Sequence, residues 1–193
     1  MRSTHWIAAL VIAAMATVHA QQPGRYDVSR YGAVGDGKTV DTAAIGKAID
    51  AAAADGGGTV VFHRGTYLSG SIHLKSHVAL FLDHGAVIEA GPIDKAPCDA
   101  PEPNQWEEFQ DFGHSHWHNS LIWGEDLNDV AIYGTGMIHG TTLSRSANAN
   151  SPAGTGNKAI ALKNSRNITI RDITISHGGH FAILATGVDN FTV

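Results

Sequence analysis

Along the last third of the chain, apolar and polar residues alternate in short runs, and each run is bounded by Asn, Asp, Gly or Ser. Asn167-Ile168-Thr169-Ile170, Asp172-Ile173-Thr174-Ile175, Phe181-Ala182-Ile183-Leu184 and Asn190-Phe191-Thr192-Val193 are the clearest of them. Runs this short, rich in β-branched residues and flanked by turn formers, predict very short strands joined by tight corners. The phrase at Asn167 returns at Asn190, a spacing of 23 residues, which falls in the range of stacked structural repeats. A repeat made only of short strands, with no helix between them, predicts parallel strands coiled rung on rung, an all-β solenoid.

The same pattern recurs upstream at Asp129–Gly134 with Gly136–Gly140, and at His77–Leu82 with Gly85–Ile88. Within each pair a turn carries the chain to the next face of the coil. The extra length between pairs, about residues 91–119 and 141–157, is expected to leave the coil as loops. Gly57–Phe62 and Gly65–Leu68 read as two linked strands, and Ser71–Leu74 opens the next rung. Ahead of them, Tyr26–Gly37 reads as a strand entering a glycine-rich turn.

One segment, about 41–54, breaks the strand pattern. Ala44, Ile45, Ala48, Ile49 and Ala52 share one helical face, Asp41 or Thr42 can cap its start, and Gly56 can end it. A single amphipathic helix before the first full rung is suited to shield that rung's apolar end and open edge. Gly32–Thr39 matches the phosphate-loop spacing letter for letter. A nucleotide fold would require strands alternating with helices downstream, and no helical pattern follows Ala54, so the match is assigned to chance.

Residues 1–20 change the picture of the compartment. Arg2 gives a positive start, Trp6 to Val18 an apolar stretch too short for a stable span, and Val18-His19-Ala20 a small-x-small cleavage site. A signal peptide at 1–20, a linker at 21–25 and one β-helix domain over 26–193 are therefore expected, with the mature chain exported to a periplasm or secreted. Without residues 1–20, which hold one basic residue and no acidic one, the formal charge moves from −5 to −6. A mildly acidic surface argues against nucleic acid and anionic membrane as partners. The single cysteine, Cys98, excludes an internal disulfide framework.

Particular phrases carry a resemblance. Tyr31-Gly-Ala-x-Gly-Asp-Gly-x-x-x-Asp-Thr-x-Ala-Ile45, then Gly-Gly-Gly-Thr-Val-Val-Phe62 and Gly65-Thr-Tyr67, resemble the N-terminal cap of the pectate-lyase-like right-handed β-helix superfamily. Leu121-Ile122-Trp123-Gly124, Gly134-Thr-Gly-Met-Ile138-His-Gly140 and Lys163-Asn-Ser-Arg-Asn-Ile168 are similar, more narrowly, to polygalacturonase-like glycoside hydrolases of family 28. His139 stands where that family commonly has Asp.

The resemblance implies a right-handed parallel β-helix and an inverting hydrolase of pectic galacturonan that needs no metal or other cofactor. Its carboxyl groups would stand about 6.5–9.5 Å apart to admit the attacking water. The family's Asn-x-Asp-Gly, Asp-Asp, Gly-His-Gly and Arg-x-Lys phrases are all absent from this chain. The catalytic aspartates are therefore expected beyond Val193, with no catalytic residue in the chain itself. It would be a C-terminally incomplete solenoid with a start cap and no end cap, inactive alone and monomeric when full length.

Asp111-Phe-Gly-His114-Ser-His116-Trp117-His118 is the densest unusual stretch. Alternating residues of a strand point the same way, so His114, His116 and His118 are candidates for sugar contact, ranked above a metal set because no fourth ligand group is identified. Trp117 is suited to stack on a sugar ring or to be buried beneath the long loop. His177 and His180 flank a Gly-Gly turn and fit equally a substrate contact or a turn stabilised by backbone hydrogen bonds. Lys158, Lys163, Arg166 and Arg171 are suited to attract a uronate carboxylate, but scattered basic residues on a solenoid are more often solvated, and none is singled out. Two other readings compete. A Ca-dependent pectate-lyase-type eliminase needs a carboxylate cluster that is not visible. A non-catalytic carbohydrate-binding or structural solenoid should seal its last rung.

Overall fold

Corners between short strands need residues that accept positive φ, and this chain supplies them repeatedly. Asp126, Asp129, Asn164, Asn167, Asp172 and Asn190 all lie at φ between 49° and 61°, the left-handed region that Asn and Asp tolerate best. The computed structural model describes residues 24–146 and 149–193; the signal peptide expected at 1–20 and the start of the linker lie outside the described residues.

In chain order the elements are β1 (Arg25–Asp27), β2 (Asp36–Val40), α1 (Thr42–Ala54), β3 (Gly58–Phe62), β4 (Gly65–Ser69), β5 (Ile72–His73), β6 (Val78–Leu82), β7 (Ala86–Ala90), α2 (Phe112–Ser115), β8 (Ile122–Glu125), β9 (Asn128–Gly134), β10 (Met137–His139), β11 (Lys158–Lys163), β12 (Arg166–Arg171), β13 (Thr174–Ser176), β14 (Phe181–Thr186) and β15 (Asp189–Thr192). They form three sheets. The first runs β1-β3-β6-β9-β12-β15, the second β13-β10-β7-β4-β2 and the third β14-β11-β8-β5. Neighbours pair in parallel, as between β3 and β6, β7 and β10, or β8 and β11. From β3 onward the chain visits first, second and third sheet in turn and then repeats. This is a right-handed parallel β-helix: the short alternating runs imply the stacked coil, and the family resemblance implies its hand.

The pairing registers stack like residues on one another. Val60, Leu80, Ile132 and Ile170 form one interior column of the first sheet. Ile72, Ile122 and Ile160 form one in the third sheet, and Tyr67, Ile88 and Ile138 one in the second. Each of these side chains is buried, and burying one fully contributes about 1.5–3 kcal/mol. The 23-residue return also appears as contact. The Asn190 amide donates to Asn167 Oδ1 at 2.8 Å, and Asn167 donates to Asp129 Oδ1 at 2.7 Å. This polar ladder lines one corner of the coil.

Helix α1 closes the N-terminal end with Ala44, Ile45, Ala48, Ile49 and Ala52 buried. Asp41 precedes it but makes no side-chain cap to it. Its buried carboxylate instead accepts from the amides of Val34 at 2.8 Å and Gly35 at 3.1 Å. The glycine-rich turn is thus folded onto an internal anion. Among the described residues, no helix is long and apolar enough to cross a membrane.

Two strands carry no alternation in sequence. Strand β2 is exposed throughout and pairs with β4 across a register shift. Strand β11 is buried on both faces along Lys158–Leu162 because loops cover its outer side; a strand buried on both faces has no polar positions to mark it.

Candidate functional site

The long excursions leave the coil at one corner, between the second and third sheets. Residues 91–121 join β7 to β8, residues 140–157 join β10 to β11, and residues 177–180 join β13 to β14. Stacked on successive rungs, they build a wall beside the outer face of the third sheet. Asn157 links all three: its amide donates to Asn119 O at 3.0 Å, and its carbonyl accepts from His180 N at 2.8 Å. The turn tolerates no bulk there, since a Cβ on Gly179, at φ +83°, would meet Asn157 O at 2.6 Å.

Lys158 forms the floor under the loops. Its side chain is fully buried; Nζ donates to Asn119 Oδ1 at 3.2 Å and to Asn157 Oδ1. Burial pushes its pKa down to about 8, against the pull of the Glu102 and Asp111 carboxylates. Above it, a cavity of about 100 Å³ lies between the loops, bordered by Ala100, Phe112, Asn119, Pro152 and Asn157. Lys158 is thus a structural cation out of reach of any ligand on the surface.

Pairing register sets a second group on the outer face of the third sheet. His73 of β5 lies beside Trp123 of β8, with ring centroids 4.7 Å apart. Asp99, from the first loop, accepts from Trp123 Nε1 at 2.8 Å and pairs with His73 Nε2 at 2.6 Å. His118 stacks on Trp123 at 3.9 Å and 20°. Its Nε2 stands 3.5 Å from Glu125, an ion-pair contact longer than a good hydrogen bond. Glu125 pairs with Lys163 at 2.7 Å, and that bond holds its carboxyl below the usual carboxylate range. A general acid needs the opposite displacement, so Glu125 serves as a fixed anion that orients Lys163.

The histidines of the dense stretch do not converge. The expectation of a strand fails because Asp111 accepts from the amides of Gly113 and His114 and starts the short helix α2. Helical turn and extended chain then send the rings apart. His114 pairs with Asp111 and lies against Phe181, with centroids 4.7 Å apart. His116 is buried, with Nε2 2.9 Å from Glu107 and Nδ1 3.1 Å from the Phe112 carbonyl. Trp117 is 3% exposed and shows no ring face to solvent; Lys163 Nζ sits 4.8 Å over its ring. Both residues hold the loop in place. Glu102 helps by accepting from the amides of Trp117 and His118, at 2.9 and 3.0 Å.

The two histidines of the Gly-Gly turn also diverge. His177 turns to the second sheet, with Nδ1 3.2 Å from His139 Nε2 and 3.0 Å from Ser176 Oγ. His180 turns to the loops, with Nδ1 3.2 Å from the Arg145 carbonyl and its ring 6.1 Å from that of His114. Of the remaining cations, Arg166 and Arg171 lie on the first sheet, away from this corner. His73, Asp99, Trp123, Glu102 and Glu125 were missed as a group by sequence reasoning. The one local signal was the large aromatic at an outward position in Leu121-Ile122-Trp123-Gly124.

The family model described as rhamnogalacturonase A/epimerase, pectate lyase-like, matches residues 26–193. Plasmin and fibronectin-binding protein A of Streptococcus pneumoniae is 38% identical over 172 residues, covering 86% of this chain and 23% of that protein. The probable polygalacturonase of Vitis vinifera is 36% identical over 115 residues, covering 57% of this chain and 23% of that protein. Among solved structures, the hyperthermoactive exopolygalacturonase from Thermotoga maritima is similar with a TM-score of 0.66, covering 88% of this chain and 45% of that one. At 18% identity that likeness is one of fold. The chain spans about a quarter of the length of the curated relatives it matches.

Proposed function

The chain belongs to the rhamnogalacturonase A/epimerase, pectate lyase-like family, and from that premise we propose that it is the N-terminal part of an exported pectin-active glycoside hydrolase. The observation that carries the reading is the shared corner, where two long loops and the His177–His180 turn wall one side of the third sheet. Beside it lies an aromatic and charged face made of Trp123, His118, Glu125 and Lys163. An extended polysaccharide is bound by flat rings for sugar faces and a cation for each uronate, and the uncovered part of this face, around Trp123 and Lys163, offers both.

The chemistry would be an inverting hydrolysis of α-galacturonosyl linkages. One carboxylic acid protonates the glycosidic oxygen, while a carboxylate on the other side of the sugar activates water. Those groups would be aspartates contributed beyond Val193, on rungs that continue the third sheet past β14. In this chain His114, His118 and His180 would line the approach, while His177 stands apart against His139 of the second sheet, and His116 and Trp117 keep the loop in shape. The reading includes export directed by residues 1–20, action as a monomer outside the cytoplasm, and no metal in the hydrolytic step.

The test is to incubate the product of the complete gene with polygalacturonate. New reducing ends, unaffected by a chelator and first released as the inverted anomer, are the expected result. An unsaturated uronate whose formation stops with the chelator would establish the eliminase instead. A second reading, a solenoid that binds without catalysis, is favoured by Glu125: the carboxylate at the cleft is held ionised and unsuited to acid catalysis. The similarity to a protein named for binding plasmin and fibronectin fits that reading. Retention on a pectin column with neither product formed would select it.

A further inference from the structure

Where the first loop returns to the coil, side chains from two separate elements meet. Asp111 and His114 belong to the start of α2, and His180 to the turn before β14; one ligand atom from each lies within 4.8 Å of the other two. His180 is already committed on one side. Its Nδ1 stands 3.2 Å from the Arg145 carbonyl, which can only accept, so Nδ1 carries the proton and Nε2 keeps a lone pair. That Nε2 is buried and finds no hydrogen-bond partner among the described residues. An imidazole with one N–H tied to a backbone carbonyl and the other nitrogen bare is oriented as metal-ligating histidines are. Asp111 Oδ1 accepts from Gly113 N at 2.9 Å and secures α2, while Oδ2 pairs with His114 Nδ1. Phe181 walls the group, with its ring 4.7 Å from that of His114 and 4.3 Å from that of His180.

We propose that Asp111 Oδ2, His114 Nδ1 and His180 Nε2 form a zinc site that fastens the 91–121 loop to the rung of β14. Two imidazole nitrogens and one carboxylate oxygen suit zinc, with water in the fourth position. They suit calcium poorly, because it selects oxygen. With zinc–ligand bonds of about 2.0–2.1 Å, tetrahedral ligands stand about 3.3 Å apart. Closing to that spacing needs small rotations of Asp111 and His114, whose side chains are about half exposed (52% and 48%). The His114 ring proton moves from Nδ1 to Nε2, and the ion replaces the Asp111–His114 hydrogen bond. His116 and His118 take no part, being held by Glu107 and by Trp123. The site goes beyond the pectin reading, since zinc can bind whether or not the cleft accepts a uronan.

The experiment titrates the metal-stripped chain with zinc chloride in a calorimeter, and with cobalt(II) chloride followed by visible absorbance. One equivalent of zinc and the strong visible bands of four-coordinate cobalt are expected. Both should weaken at least tenfold in His180→Ala and in Asp111→Asn, and stay as in the parent in His84→Ala, an exposed histidine remote in sequence from the site. Should His180→Ala lose its fold without metal, Asp111→Asn carries the test, because Asn Oδ1 can still accept from Gly113 N. Absence of stoichiometric uptake, or equal uptake by Asp111→Asn and the parent, would overturn the proposal.

Discussion

Lys158→Met tests whether the loops stand on a cation strained by burial. The folded amine has its pKa pushed from 10.5 to about 8. In the unfolded chain the amine keeps its proton to about pH 10.5, and in the folded chain only to about 8. Between those limits the unfolded state binds more protons, so stability rises with pH. At about 1.4 kcal/mol per pH unit, the gain across the window is about 3 kcal/mol. Cys98 and Tyr26 act in the opposite sense. Burial raises the Cys98 thiol to about 11, and the hydrogen bond to Asp55 raises the Tyr26 hydroxyl to about 12, so both oppose the gain as the solution grows alkaline. Both groups remain in the variant, so the Tyr26 contribution cancels and the difference between variant and parent reports Lys158 together with its smaller charge coupling to Cys98. Methionine keeps the apolar stem but leaves the Asn119 and Asn157 amide oxygens without their donor, at a cost of about 1–3 kcal/mol. That loss roughly offsets the relief from burying a charge. Urea unfolding should therefore find the two proteins close in stability at pH 7, with the parent ahead by an additional 2–3 kcal/mol or so at pH 10. A difference that stays constant from pH 7 to pH 10 would refute the account of Lys158.

Two further outcomes follow from packing. Ile132→Ala removes the middle of the Val60–Leu80–Ile132–Ile170 column and should cost about 2–5 kcal/mol in thermal or urea unfolding; Thr169→Ala, on the outer face of the same sheet, should cost under about 1 kcal/mol. Gly179→Ala places a Cβ 2.6 Å from Asn157 O at φ +83°. It should lower stability by more than about 1 kcal/mol and speed exchange of the His180 amide, whose hydrogen bond to the Asn157 carbonyl it breaks.

The coil could be read from the sequence where one strand face is wet and the other dry. In β9 and β12 alternation marks the inward residues, and the Asn and Asp corners mark their ends. The stripe on α1 was legible for the same reason, as a periodic apolar face. Strand β11 was hidden because its outer face is covered by loops. Strand β2 was hidden because every residue in it is exposed. The corner was less legible than the coil. The His-x-His-x-His spacing suggests a strand, but the Asp111 carboxylate captures two amides and turns the chain into a helix. Trp123, Asp99 and His73 lie 24–50 residues apart in sequence. They meet through the register of β5 on β8 and the path of a long loop, neither of which is encoded locally.

The most direct test of the proposed pectin-binding cleft is a nitrogen-15 correlation spectrum of the chain titrated with a galacturonate trimer. The account predicts shifts confined to the third sheet and its loop corner, led by the Trp123 indole N–H now held by Asp99 and by the amides of His118, Lys163 and His180. It also predicts that Lys163→Ala abolishes them. An unchanged spectrum, or shifts confined to the first-sheet face around Tyr133, Thr169 and Arg171, would contradict it.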